Sequence, residues 1–425
     1  MAQEAHKNHL NSWKTLRPKH IKHTFRKAGQ PILLLSVCTL IFGLMLLAGT
    51  SRASCLEVST PSADSRVATL QAADQTALSV SILSPENTTY TLSQLPLTFT
   101  VNASFSWAGY SLDGQSNVTA VTNTTLTNVA QGSHSIVVYA DDASGLMGSS
   151  TRVHFTVGQV SILEIIPLGV IQGLTEWLPV SSTAHLKIAQ HLMNLEVTPL
   201  LDVTLHLGTL IVVIFYFRKD VKDILVALMH LDFTSESGRL IPLIVVATIP
   251  TGIIGVLYAE FLEQTYQTPI IIGVTFLVGA TWLYTSRIGK ENVGSITPLT
   301  AFIMGIGQGL ASFPGLSRSG TTISTALMLG LKREKAFTFS FLLSIPAIIG
   351  DTAFEAYHDR GQFGIQNISS VALLLGVVFS AVFGYIAIRL VSNLVRSKRF
   401  HYFAFYTWAL GITLIILTLT RILTI

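Results

Sequence analysis

The sequence predicts a polytopic α-helical membrane protein made of two inverted repeats, each a re-entrant helical hairpin plus three transmembrane helices. An N-terminal transmembrane segment and an extracytoplasmic immunoglobulin-like β-sandwich are expected ahead of it. Three observations carry this expectation. Of 425 residues, 49% are hydrophobic and only 12% are charged, a composition suited to repeated membrane crossing. A polar stretch broken by Gly and Pro occurs twice inside strongly apolar sequence, from Gln172 to His185 and again from Gln308 to Thr321. Residues from about 79 to 157 instead alternate apolar and polar in short runs.

Residues 1–30 form a basic arm in which Lys7, Lys14, Arg17, Lys19, Lys22, Arg26 and Lys27 precede an apolar run from Pro31 to Gly49. Next to such a run the arm reads as a cytoplasmic topology anchor, and no nucleic-acid partner is expected. The 31–50 segment has the length of a transmembrane span. A signal core cleaved near Ala53 is the alternative. A linker follows over 51–78. Cys38 and Cys55, the two cysteines, build neither a disulfide framework nor a zinc site.

The 79–158 region carries alternating segments such as Leu97–Val101, Ser135–Tyr139 and Val153–Val157, separated by turn clusters like Leu112–Asn117. Short, evenly spaced strands of this kind indicate a sandwich of immunoglobulin or fibronectin type. Nothing in it resembles a catalytic constellation. A surface spacer or adhesion module is expected, its partner unidentified.

The membrane domain is expected over 160–425, with repeat one at 160–286 and repeat two at 298–425. In repeat one a broken hairpin (161–196) precedes spans near 202–217, 240–259 and 269–285. In repeat two a hairpin (299–331) precedes spans near 336–350, 371–391 and 402–423. Three crossings per unit invert the second unit relative to the first. Loop charge agrees with the sandwich outside. Arg218, Lys219, Lys222, Arg239, Arg287, Lys290, Lys332, Arg333, Lys335, Arg396, Lys398 and Arg399 then all fall inside. The sequons at Asn87, Asn102, Asn117, Asn123 and Asn367 fall outside. The expected location is the plasma membrane, with the N-terminus cytoplasmic.

Broken hairpins that meet near the midplane direct free backbone N–H groups into one cavity, a setting that binds phosphate. Gly315-Leu-Ser-Arg-Ser-Gly320 supplies flexible backbone, the hydroxyls of Ser317 and Ser319, and the guanidinium of Arg318. The planar fork of arginine matches phosphate oxygens. Glu176 and His185 flank Pro179-Val-Ser-Ser-Thr183. A carboxylate there can hold a divalent cation or act as a base, and an imidazole can attack phosphorus or activate Ser182 or water. Gln172 lies one turn before Glu176 and orients substrate or water. The predicted catalytic set is Glu176, Ser182, His185 and Arg318. The predicted substrate contacts are Gln172, Ser181, Thr183, Ser317, Ser319, Gly320, Thr321 and Thr322. His206, one turn from Asp202, fits a cavity lining or a helix-packing hydrogen bond equally well. Asp351 and Glu355 read as solvated residues at an outer edge, and Phe400 to Trp408, including His401, as an interfacial aromatic belt.

The motifs Gln172-Gly-Leu-Thr-Glu176, Pro179-Val-Ser-Ser-Thr-Ala-His185 and Pro314-Gly-Leu-Ser-Arg-Ser-Gly320 resemble those of the undecaprenyl-diphosphatase family, the bacitracin-resistance type of membrane phosphatase. The resemblance covers about residues 160–425. It implies removal of the terminal phosphate from a C55 polyprenyl diphosphate, regenerating the monophosphate carrier for cell-wall and glycan synthesis. It also implies a divalent cation, Mg2+ or Ca2+, and a site open to the outer face. The family's acidic motif falls on Gln172 and Glu176, its serine and histidine on Ser182 and His185, its arginine on Arg318. Many members carry Glu at the position of Gln172, so Glu176 is left as the acidic residue of that motif, holding any metal with help from Gln172. The anchor, the sandwich and the sequons point to an archaeal or otherwise atypical envelope with a dolichol-like polyprenol. The partners expected are the lipid substrate and the bilayer, and a homo-oligomer is compatible with the sequence. A polyprenyl-phosphate flippase with the same inverted-repeat cavity is the rival expectation, and a lipid-binding adhesin a third.

Overall fold

The computed structural model describes residues 78–420, apart from 91–93, 121, 194, 197–198, 263–267 and 359–367. The basic arm, the 31–50 anchor, most of the linker, Cys38, Cys55 and the Asn367 sequon lie outside the described residues.

Alternation in the first described region builds strands. They are β1 (Val80–Ser84), β2 (Thr89–Tyr90), β3 (Leu95–Val101), β4 (Trp107–Leu112), β5 (Val118–Thr119), β6 (Thr124–Leu126), β7 (Gly132–Asp141), β8 (Met147–Ser149) and β9 (Val153–Val157). In β3 every second residue, Leu95, Leu97 and Phe99, is buried, as a strand with one face on a core requires. One sheet runs β1-β3-β6. The other runs β2-β9-β7-β4-β5, with β8 on β7. Leu97, Ala108, Leu126, Ile136, Val138, Phe155 and Val157 make the shared core. The sequon asparagines Asn87, Asn102, Asn117 and Asn123 are all exposed.

The remainder is helical. The first hairpin is α1 (Ile162–Trp177) and α2 (Ser182–Leu192), followed by the two-residue strand β10 (Leu195–Glu196). Then come α3 (Pro199–Tyr216), α4 (Arg218–Met229), α5 (Leu240–Phe261) and α6 (Pro269–Thr285). The second hairpin is α7 (Pro298–Leu310) and α8 (Arg318–Met328), followed by α9 (Arg333–His358), α10 (Ser370–Arg396) and α11 (Phe403–Leu419). Among the described residues, five helices are long and apolar enough to cross a membrane: α5, α6, α9, α10 and α11. A sixth span exists if α3 and α4, bent by 81° at their junction, count as one. Both proposed hairpins are built of helices shorter than these spans.

Small residues set how closely the helices approach, the usual device where lipid removes the hydrophobic drive between them. The α1 helix packs on α10, where an added Cβ at Gly173 would meet Ser380 O at 2.4 Å. The α7 helix packs on α5 with Gly305 against the Ala247 backbone, and α11 packs on α6. The β region continues into the helical one, because β10 pairs in parallel with β2, Leu195 opposite Thr89 and Glu196 opposite Tyr90. A second bridge joins Val160 to Ile368. On the opposite side of the sequence pattern, the loop residue Glu291 takes Arg333 at 2.8 Å and Lys398 at 3.3 Å.

Candidate active site

The two helix breaks touch. Proline at 179 ends α1, because it offers no N–H and its ring opposes a continued helix. The next turn places Ser181 at φ 71° before α2 begins. In the second hairpin Gly315 sits at φ 97°, a conformation that disfavours any side chain, and a Cβ there would meet Ile272 O at 2.9 Å. Thr275 Oγ1 donates to Pro314 O beside it. Between the breaks, Gly315 N donates to Ser181 Oγ at 3.1 Å, Ser317 Oγ to Leu178 O at 3.3 Å and Ser319 Oγ to Trp177 O at 2.9 Å. The end of α1 is fixed further by Trp177 stacking on Phe341, with centroids 5.0 Å apart.

This meeting assembles a polar cluster around Glu176, which is only 5% exposed. Its Oε2 accepts from Ser182 Oγ at 2.7 Å and from Gln172 Nε2 at 3.1 Å. His206 Nε2 lies 3.6 Å from the same oxygen. Its Oε1 faces Arg318 NH1 at 4.0 Å. The other end of the guanidinium, NH2, donates to Asp351 Oδ2 at 2.8 Å. Arg318 is the first residue of α8, so its charge stands at a helix N-terminus, where anions are favoured. Arg318 NH1 is buried with no hydrogen-bond partner, and so is available to an incoming anion.

Gln172, Glu176, Ser182 and Arg318 are therefore brought together. His185 is not among them. It is fully buried, its Nδ1 2.7 Å from Ser181 O and its Nε2 2.8 Å from Tyr406 OH. Its ring stacks on Tyr406 and meets Phe276 edge-on. Thr183 is exposed. The hydroxyls of Thr321 and Thr322 donate to helix carbonyls, Thr322 Oγ1 to Arg318 O at 2.8 Å. Gly320 N caps its helix on Ser317 Oγ. Ser181, Ser317 and Ser319 stitch the two breaks to each other.

The cluster also holds residues to which sequence reasoning gave other roles. Asp351 was expected to be solvated. Its side chain is 59% exposed, yet it pairs with Arg318. His206 lines the cluster: Nδ1 lies 2.8 Å from Asp202 O in its own helix while Nε2 faces Glu176. Glu355, one turn beyond Asp351, acts electrostatically on His206. Tyr406, read as part of an aromatic belt, points inward to His185. A signal for Asp351 and His206 existed: Asp202/His206 and Asp351/Glu355 are polar pairs one turn apart on otherwise apolar helices.

A divalent cation finds oxygen donors here. Glu176 Oε1 stands 4.0 Å from Arg318 NH1, beyond hydrogen-bond reach, and the buried Gln172 Oε1 has no partner. Neutral amide and carboxylate oxygens suit Mg2+ or Ca2+. Among the described residues no group of three or more His, Cys, Asp or Glu forms a complete cage.

Residues 165–413 match the family described as "Bacitracin resistance protein BacA". The chain is 39% identical over 277 residues to the undecaprenyl-diphosphatase of Alkaliphilus metalliredigens, covering 61% of this chain and 100% of that one. It is 41% identical over 264 residues to undecaprenyl-diphosphatase 4 of Bacillus thuringiensis subsp. konkukian, covering 61% and 98%. It is 37% identical over 279 residues to the undecaprenyl-diphosphatase of Methanobrevibacter smithii, covering 62% and 100%. The chain belongs to the bacitracin resistance protein BacA family.

Proposed function

We propose that the membrane domain is an undecaprenyl-diphosphate phosphatase. It removes the terminal phosphate from undecaprenyl diphosphate or a related long-chain polyprenyl diphosphate and regenerates the monophosphate carrier. The observation that carries this is the Glu176 carboxylate, with Ser182 Oγ hydrogen-bonded to one oxygen at 2.7 Å and the Arg318 guanidinium facing the other. Family membership and the relatives' names support the same reaction. They favour hydrolysis over transport or adhesion.

Ser182 Oγ attacks the terminal phosphorus and gives its proton to Glu176. The bond from phosphorus to the bridging oxygen breaks, and polyprenyl monophosphate leaves. Water then attacks the phosphoserine and carries both its protons away on orthophosphate, while Glu176 returns the first proton to Ser182 Oγ, so one water is consumed per turnover. Arg318, held by Asp351, neutralises charge on the phosphoryl oxygens as the bond breaks. His206 completes the polar wall beside Glu176. His185 is a positioning residue: by joining Ser181 O to Tyr406 it fixes the turn that presents Ser182. Mg2+ or Ca2+, held by Glu176 and Gln172, supplies Lewis-acid neutralisation of the diphosphate when bound.

The finer architecture follows the same reading. Two matching broken hairpins, with α1 on α10, α7 on α5 and α6 on α11, support a pair of inverted repeats. Two sheets around one core support an immunoglobulin-like sandwich. Loop charge supports a cytoplasmic N-terminus, with sandwich and site opening outside. Detergent-solubilised protein supplied with C15 to C55 polyprenyl diphosphates tests the function. Release of orthophosphate without a second compartment is expected, and none is released by a pure transporter.

A further inference from the structure

A small cavity adjoins Glu176, bounded also by Trp177, Arg318, Ser319, Thr322 and Ser340. Its volume is about 10 Å3, space for roughly one water-sized sphere. Ser340, on α9, is 3% exposed, and its Oγ has no hydrogen-bond partner. A buried serine in a helix ordinarily donates to a carbonyl in the preceding turn. Ser344, one turn later on the same helix, does so to Phe341 O at 2.7 Å. Ser340 does not.

The second unsatisfied donor at this cavity is Arg318 NH1. Asp351 occupies NH2 on the far side of the guanidinium, which fixes the fork with NH1 toward Glu176. The buried indole nitrogen of Trp177 also lacks a partner, but it faces α10 beside Gly384. One neutral and one charged donor therefore border a space a single oxygen wide, next to the carboxylate that holds Ser182. Buried donors without partners are costly and call for a ligand or a mechanistic explanation.

We propose that this cavity is an oxyanion hole: it receives one non-bridging oxygen of the terminal phosphoryl group, with Ser340 Oγ and Arg318 NH1 as donors. This rests on the phosphatase reading and adds Ser340 as a catalytic residue. A whole phosphate exceeds the cavity, whereas one oxygen fits it. Donors fixed at the place where charge gathers stabilise the transition state more than the ground state. An ordinary resident water is the competing occupant.

The test uses the full chain in detergent, with Ser340→Ala and Ser340→Cys. Steady-state hydrolysis of polyprenyl diphosphate and inhibition by orthovanadate are measured beside the melting temperature. Ser340→Ala is expected to lower kcat about 100-fold with little change in KM, as loss of an oxyanion donor does elsewhere. Vanadate inhibition should weaken by a similar factor while the melting temperature holds. Ser340→Cys, a weaker donor of similar size, should fall between, and it replaces the alanine variant if that fails to fold. Wild-type kcat and vanadate sensitivity in both variants overturn the proposal. So does a lowered melting temperature with vanadate inhibition intact, the signature of a structural water. Failure of the phosphatase reading is separate, since wild type then releases no phosphate. In that case vanadate protection against unfolding, present in wild type and absent in Ser340→Ala, still supports the hole, and equal protection in both overturns it.

Discussion

Glu176 sits where four side chains, one from its own helix and three from other helices, converge on one carboxylate. Ser182 donates to it, Gln172 supports it from one turn below, and His206 and Arg318 face its two oxygens. Replacing Glu176 by Gln keeps the shape and removes the proton acceptor. Phosphate release should then fall at least about 1,000-fold, with the protein still folded, as measured by steady-state kinetics and melting in detergent. The two histidines should separate. His206→Gln alters the wall of the site and is expected to lower kcat about 10- to 100-fold with the melting temperature retained. His185→Gln breaks the Ser181–His185–Tyr406 chain, so it should lower the melting temperature as well as kcat. If His185→Gln alone removes activity at full stability, the positioning role assigned to it is wrong. The proximity of Glu176, Gln172, Ser182 and Arg318 was legible because they lie in compact motifs around Gly and Pro. The contact of His185 with Tyr406 was not legible, because the two are 221 residues apart, a separation no motif encodes.

At the scale of elements, the two breaks do the positioning. Each leaves a short polar turn at the end of a helix, and the two turns are tied by Ser181, Ser317 and Ser319 rather than by apolar contact. The hydroxyls expected to hold phosphate thus hold the hairpins to each other, which the residue types alone do not distinguish. Gly315 is constrained twice over, being left-handed and in contact with α6. Gly315→Ala should destabilise the protein by about 1–3 kcal/mol. The loss should appear as a lower melting temperature together with a lower kcat, because Arg318 and Ser181 move with the turn. A variant with wild-type values for both contradicts this account of the break. The helical spans themselves were readable from apolar length. The bend of α3 into α4 was not, because no period in the sequence records an 81° turn.

In the whole molecule, the family match runs over residues 165–413 and so leaves the β region outside it. A chain starting at residue 159 should therefore retain phosphate release, although β10 loses its partner β2. Loss of hydrolysis on that truncation, with the helices still assembled, places the β region in the working unit. The β region carries its own pH response. Burial opposes the charged form of His134, but the hydrogen-bonded Asp113 carboxylate at 2.7 Å outweighs it and raises the imidazole. Burial also opposes ionisation of Asp113, and His134 and Ser135 hold its carboxyl below the ordinary range. The histidine contribution is full below the ordinary imidazole value and fades as pH rises through the raised one. The aspartate contribution is present above the ordinary carboxylate value and is lost as acid protonates it. The β transition in calorimetry should be most stable between about pH 4 and 6.5. His134→Gln should flatten its alkaline limb, and an unchanged limb contradicts the assignment.

The most direct measurement is a double-mutant cycle on orthophosphate release, with Glu176→Gln, Arg318→Gln and the pair combined. Residues that act on one phosphoryl group as a unit lose rate non-additively. The combined variant should then be no slower than the worse single one. Strictly multiplicative losses, or a single variant at wild-type rate, contradict a shared anion between the two hairpins.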